Sequence, residues 1–422
     1  MKRRALTIGF VLLAVGPWSA CRRTSDEKPV VGVPAGNLES NAWMKRAIGR
    51  APEGNPWITD LAIVDLDGDG LKDVVVCDGR LNRVSWIRQT RPGEFVERDI
   101  GAGIAGPAHV EIADLDGDGH LDVLVASMGT IPPSDAKTGA VVALMNDGAN
   151  QFTNRVLLEN IARVTYVTAA DLNKDGRLDL VVGAFGYLTG EIRWMENLGK
   201  GEFKSHPLLD LPGTIHAPVV DLDGDGNLDI VALVSQDSED VHAFFGDGRG
   251  QFRDRILYGS TNKDYGSSGL CIADVNRDGR PDVVYSNGDG FDYATPGARP
   301  WHGVQWLENL GERKFAFHRI GDFPGAFSPA VADLNGDGRP DVVACSGFND
   351  WTDAHSVSLM YFENDGTNRF TPRVLAHEPT HLVVVKAADL FNDGRVELVT
   401  GAMLFYPPFN RVSRVTLWER SK

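Results

Sequence analysis

The chain runs to 422 residues with 42 basic and 58 acidic side chains, a net charge of −16 at neutral pH. With no basic stripe, that acidity excludes a nucleic-acid partner. Four cysteines in such a length exclude a disulfide framework.

The first predicted element is a secretory signal at residues 1–20: a basic start (Lys2, Arg3, Arg4), an apolar stretch from Ala5 to Val15, and a small-residue end. That stretch is too short to span a bilayer. Ser19 and Ala20 before Cys21 resemble a bacterial lipobox, although Trp18 departs from its usual aliphatic residue. The resemblance implies a lipidated Cys21 and export to the cell envelope. Residues 21–41 are polar, with Pro and Gly, and read as a flexible tether to a domain over 42–422.

Within that domain a nine-residue pattern recurs six times, with acid or amide oxygens at positions 1, 3, 5 and 9 and Gly at position 6. The copies place Asp65, Asp67, Asp69 and Asp73; Asp114, Asp116, Asp118 and Asp122; Asp171, Asn173, Asp175 and Asp179; Asp221, Asp223, Asp225 and Asp229; Asp274, Asn276, Asp278 and Asp282; and Asp333, Asn335, Asp337 and Asp341. Position 7 (Leu71, His120, Arg177, Asn227, Arg280, Arg339) offers its backbone carbonyl. Oxygens at these offsets converge on one point as in a calcium loop. Hard oxygen donors favour Ca²⁺ over zinc or copper. A seventh copy keeps Asp389, Asp393 and Glu397 but has Phe391 at position 3, so about six sites are expected. Turn chemistry alone explains Asp and Gly in one copy, but it does not require an Asp at position 9 six times over. An EF-hand is excluded, because Val76 holds position 12 and apolar β-type runs follow each loop. Seven divalent ions would bring +14 against the −16 of the chain, so the acidity is mostly that of the loops.

Successive copies start 49, 57, 50, 53, 59 and 56 residues apart, the period of four-stranded blades. The predicted fold is all-β, a seven-bladed β-propeller. In blade 2 the strands are expected at 109–113, 122–127, 141–145 and 152–158. An Asn or Asp with Gly marks the last turn of blades 2 to 6, and blade 1 has a shorter version, RPGEF. The Phe that follows (Phe95, Phe152, Phe203, Phe252, Phe315, Phe370) opens the outer strand and is expected to pack between blades. After the seventh loop only two strands remain, at 397–402 and 414–419. Residues 43–48 are therefore expected to complete blade 7 and close the ring.

These D-x-[DN]-x-D-G-x-x-D loops at blade-like spacing resemble FG-GAP/VCBS repeats, found in the calcium-binding propeller of integrin α-chains and in many bacterial envelope proteins. The resemblance covers about residues 42 to 422 and implies the propeller and the carboxylate ligands. It implies no single activity.

With the acid loops on one face, the opposite face is open to ligands. Its long loops carry Tyr293, Trp301, Phe348, Trp351 and Tyr406 beside Asp289, Asp292 and Arg299. Aromatics among acids and amides suit a sugar or a peptide; packing of the loops onto the blades is the better account of most of them. His109, His216 and His381 stand near the start of axis-lining first strands, with Asp60 and Tyr166 at equivalent positions. Converging on one cavity, they would serve a carbohydrate lyase or dehydratase. As solvated channel-mouth residues they would have no such role, and nothing marks a nucleophile or cofactor. The H-E-x-x-H string of His377–His381 needs a helix, which Pro379 forbids. Cys77, Cys271 and Cys345 read as small buried apolar residues. The expectation is a monomeric envelope lipoprotein, stiffened by calcium, that binds a protein or glycan partner.

Overall fold

The computed structural model describes residues 43–421 apart from 237, 292, 294 and 296. The signal segment, the tether, Cys21 and Asp292 lie outside the described residues. Seven four-stranded antiparallel blades account for the fold, with no helix among the described residues.

Blade 1 consists of Ile58–Val64, Asp73–Asp78, Arg83–Arg91 and Glu94–Ala102, bonded in chain order. Blade 2 runs from Pro107–Ala113 to Phe152–Ile161, blade 3 from Arg163–Ala170 to Glu202–Leu209, and blade 4 from Thr214–His216 to Phe252–Ser260. Blade 5 runs from Ser267–Ala273 to Phe315–Asp322 and blade 6 from Ala326–Ala332 to Phe370–Ala376. The first strand of blade 4 is split at Pro218, which has no N–H to give the ladder. Blade 7 has Leu382–Ala388, Glu397–Ala402 and Val415–Arg420, and Trp43–Ala47 supplies its fourth strand, with Trp43 opposite Arg420. The ring closes as expected.

The burial pattern explains the sequence pattern. The second strand of blade 1, DVVVCD, is buried at every residue, so it reads as a continuous apolar run rather than an alternating one. Outer strands such as Phe152–Ile161 are largely exposed. Between the blades lie seven apolar clusters, one per interface. The one that closes the ring joins Ile58 and Ile87 of blade 1 to Val384 and Leu417 of blade 7. The turn phenylalanines enter these clusters: Phe152, Phe252 and Phe370 set their edges against Trp86, Trp194 and Trp306 of the preceding blade at 6.0–6.4 Å.

First strands neighbour one another around the axis. Each carries a register shift near its start, as between Ile58 and Asp60, Pro107 and His109, Val164 and Tyr166, or Thr214 and His216. Such bulges re-aim a side chain. The bulged residue itself clips neighbouring blades where it is Thr or Ser. Thr59, Thr165 and Ser268 hydroxyls each donate at 2.6 Å to a first-strand carbonyl of the next blade, Pro107, Thr214 and Ala326.

Trp306 is fully buried between blades 5 and 6. Trp306→Ala is expected to cost about 3–5 kcal/mol by urea unfolding; a loss under about 1 kcal/mol would mean that this interface is not packed as described.

Candidate functional site

The nine-residue loops share one internal geometry. The position-1 carboxylate accepts the N–H groups of positions 5 and 6, as Asp65 does from Asp69 (3.1 Å) and Gly70 (2.8 Å), and Asp389 does likewise in the seventh loop. The position-9 carboxylate is fully buried and ties the loop to the third strand. Asp73 accepts the Leu66 N–H at 3.2 Å and the Gln89 N–H at 2.7 Å. Asp282 does the same with Val275 and Asn309. Position 9 therefore has a structural task even without an ion, which turn chemistry alone did not reveal. Burial pushes the carboxyls of Asp73, Asp229, Asp282 and Asp341 up to about 6, and that of Glu397 to about 7, against the pull of these N–H donors.

The asparagine closing the third strand is a second tie. Asn309 Nδ2 donates to Pro281 O in its own loop (3.0 Å) and to Leu222 O in the loop of blade 4 (2.7 Å). Asn364 and Gln89 reach the preceding loop in the same way, at Val275 O and Leu390 O.

The donor set fits a hard cation. Carboxylates of Asp65, Asp67 and Asp73, of Asp114, Asp116 and Asp122, and of Asp221, Asp223 and Asp225 bring oxygens within 4.8 Å of one another. The Asp67 side chain is 3% exposed; Arg88 forms an ion pair with Oδ2 at 2.6 Å, yet neither oxygen receives a hydrogen bond. Like charges held this close call for cations, and Arg88 supplies one to the first loop. In the seventh loop Phe391 packs into the interface with blade 1 and offers no ligand.

On the axis the first strands enclose a cavity of about 760 Å³. Its wall includes Asp60, His109, Tyr166 and His216, each five residues before a position-1 Asp, so they stand at one level in blades 1 to 4. The rings form a contiguous row, His109 to Tyr166 at 3.8 Å and Tyr166 to His216 at 5.3 Å. Asp60 lies 3.6 Å from His109 Nε2 and 3.4 Å from Lys386 Nζ. The other wall is apolar, with Leu270, Ile272, Phe327 and Val383, and the mouth carries Trp57, Phe291 and Phe405. Burial pulls His109 down to about 4 and His216 to about 3, while it pushes the Tyr166 phenol up. Both imidazoles are neutral at pH 7.

Two of the three expected histidines thus share the cavity. His381 does not: it is fully buried and bonded to Thr380 (2.9 Å) and Tyr406 O (2.8 Å). Nor do the rim aromatics line it. Phe348 and Trp351 are 1% and 2% exposed, and Tyr406 is clamped to Asn349. Trp301 and Tyr293 both donate to Asp264 O. They pack the loops, because a loop long enough to cross a blade end must bury its own apolar side chains. Cys271 is corrected from core residue to channel-wall residue; it, Cys77 and Cys345 are free thiols. Lys386 was missed, because it stands three residues before its acid loop rather than five.

Fold and loops together define a repeat propeller built on acid-rich turns. Residues 65–125, 221–285 and 287–344 match the family described as FG-GAP-like repeat. No curated protein matches the chain. Solved structures that match include the crystal structure of the V. cholerae biofilm matrix protein Bap1, at 12% identity over 90% of this chain and 91% of that one, with a TM-score of 0.47. That likeness carries no functional argument.

His216, with its folded pKa well below the ordinary histidine value, resists protonation in the native state. Its contribution is present above about 6.5 and is lost as the pH falls toward 3. Position-9 carboxyls act with the opposite sign. His216→Gln is therefore expected to lose less melting temperature between pH 7 and pH 4.5 than the parent; an equal loss would show that the imidazole is not shielded.

Proposed function

We propose that the chain is an exported propeller, lipid-anchored at Cys21 in the cell envelope, whose acid loops hold calcium and whose opposite face binds a glycan or protein partner. The observation that carries the reading is the two-sided cavity. One wall is a row of hydrogen-bonding groups and the other is apolar, with the exposed Phe291 at the mouth (45%). A sugar ring has the same division, with an apolar C–H face and a hydroxyl edge, so a glycan is the better match of the two. Calcium acts structurally. It would be held by the loop carboxylates, neutralise their mutual repulsion, and stabilise the folded state by mass action.

The row His109–Tyr166–His216 supports a second reading, a carbohydrate lyase or dehydratase. A neutral imidazole can accept a proton, and a phenol beside it can return one. The test is a glycan screen on the calcium-loaded protein with products monitored. Binding without turnover, weakened about tenfold or more by Phe291→Ala, is the expected result. Turnover abolished by Tyr166→Phe would move the protein to the enzyme class, and a blank screen would leave a protein partner.

Chelation supplies a separate check: EGTA is expected to lower the melting temperature, and restored Ca²⁺ to recover it. An unchanged melt in fully demetallated protein would remove calcium from the account.

A further inference from the structure

The six acid loops fall into two chemical kinds, and features elsewhere in each blade sort with them. Loops 1, 2 and 4 have Asp at position 3. Loops 3, 5 and 6 have Asn there (Asn173, Asn276, Asn335) and Arg at position 7 (Arg177, Arg280, Arg339). In those same three blades a glutamate precedes the third-strand asparagine (Glu196, Glu308, Glu363), where the others have Arg88, Met145 and Phe245.

These residues touch. In loop 5, Asp278 Oδ1 accepts the Arg280 N–H at 3.0 Å, while Oδ2 accepts Asn276 Nδ2 at 3.0 Å and the Arg280 guanidinium. Arg280 Nε also donates to Asn309 O on the third strand at 2.6 Å. Asn276 Nδ2 reaches Glu308 at 3.0 Å, and Glu308 is paired with His318 at 2.7 Å. Loops 3 and 6 repeat the closure, with Arg177 on Asn197 O (2.7 Å), Arg339 on Asn364 O (2.9 Å), and Asp175 and Asp337 each taking the same Asn and Arg donors. The position-5 carboxylate is satisfied by its own chain.

Loops 1, 2 and 4 lack that Asn–Arg closure; an arginine from outside the loop stands in for it in loop 1, where Arg88 meets Asp67 (2.6 Å) and Asp69 (3.0 Å), and in loop 4, where Arg313 meets Asp223 (2.5 Å). Among the described residues, Asp118 accepts one hydrogen bond, from the His120 N–H. Carboxylate triads with oxygens within 4.8 Å occur, among the described residues, in these three loops and in no other.

We propose that cation binding is divided between the two kinds. Loops 1, 2 and 4 are the tight sites, whose turns depend on the ion. Loops 3, 5 and 6 hold their turns through Arg and Asn and take a divalent cation about tenfold or more weakly. Two differences act in one direction. The Asn loops have one carboxylate fewer at the ligand positions, and a position-5 oxygen that must give up two donors of its own loop to ligate. This inference rests on the calcium reading.

Calorimetric titration of Ca²⁺ into EGTA-stripped protein tests it. Three tight ions followed by weaker ones are expected. Asp116→Asn should move one ion from the tight phase toward the weak one. Arg280→Leu should convert one weak ion toward the tight class, a gain that impaired folding cannot imitate. Six equivalent ions, or no gain with Arg280→Leu, would overturn the division while leaving calcium binding intact. No binding at all would sink the calcium reading and the division with it.

Discussion

One buried carboxylate per blade holds the acid-loop end of the propeller together. At position 9 each oxygen takes an N–H, one from the loop and one from the third strand, so two connections that are distant in sequence share a single charged clamp. Two neutral donors do not fully replace the water that burial removes, which is why the carboxyls of Asp73, Asp229, Asp282 and Asp341 are pushed up to about 6. The third-strand amide then carries the constraint onward to the preceding loop. In blades 1, 5 and 6 loop, turn and blade spacing are thereby one linked unit.

The opposite end obeys a different rule. There each first strand bulges, and the bulge decides which side chain faces the axis. Because blades 1 to 4 place Asp, His, Tyr and His at that level while blades 5, 6 and 7 place Gly269, Ser328 and Val384, the large hydrogen-bonding side chains gather on one side of the channel and the other is mainly apolar. Repetition built the scaffold, and divergence at one residue per blade built the cavity.

The scaffold was legible in the chain because its code is local. Asp, Gly and Phe stand at fixed offsets within about a dozen residues, and each offset has a backbone reason. Ring closure by Trp43–Ala47 was legible too, since a strand count must come out whole. The channel was only half legible: His109 and His216 were placed by repeat position, but Lys386 joins Asp60 across an interface that no local pattern reports. His381 was misplaced because it sits two residues before the bulge, turned away from the axis toward Tyr406. The loop aromatics failed for a related reason. Whether Trp351 faces solvent or its own loop depends on how 346–356 folds back, which is tertiary information.

The closing strand has a kinetic consequence. Trp43–Ala47 pairs with Val415–Arg420 across nearly the whole described chain, as Trp43 with Arg420, so this pairing has the longest loop closure among the described strand pairs. Until Val415–Arg420 has emerged, the first strand to be made has no ladder to join, and blade 1 shows Ile58 and Ile87 to solvent. During synthesis the nascent ring is thus an open arc with two sticky ends, and the interval before its last strand arrives is when neighbouring copies are most prone to pair with one another instead.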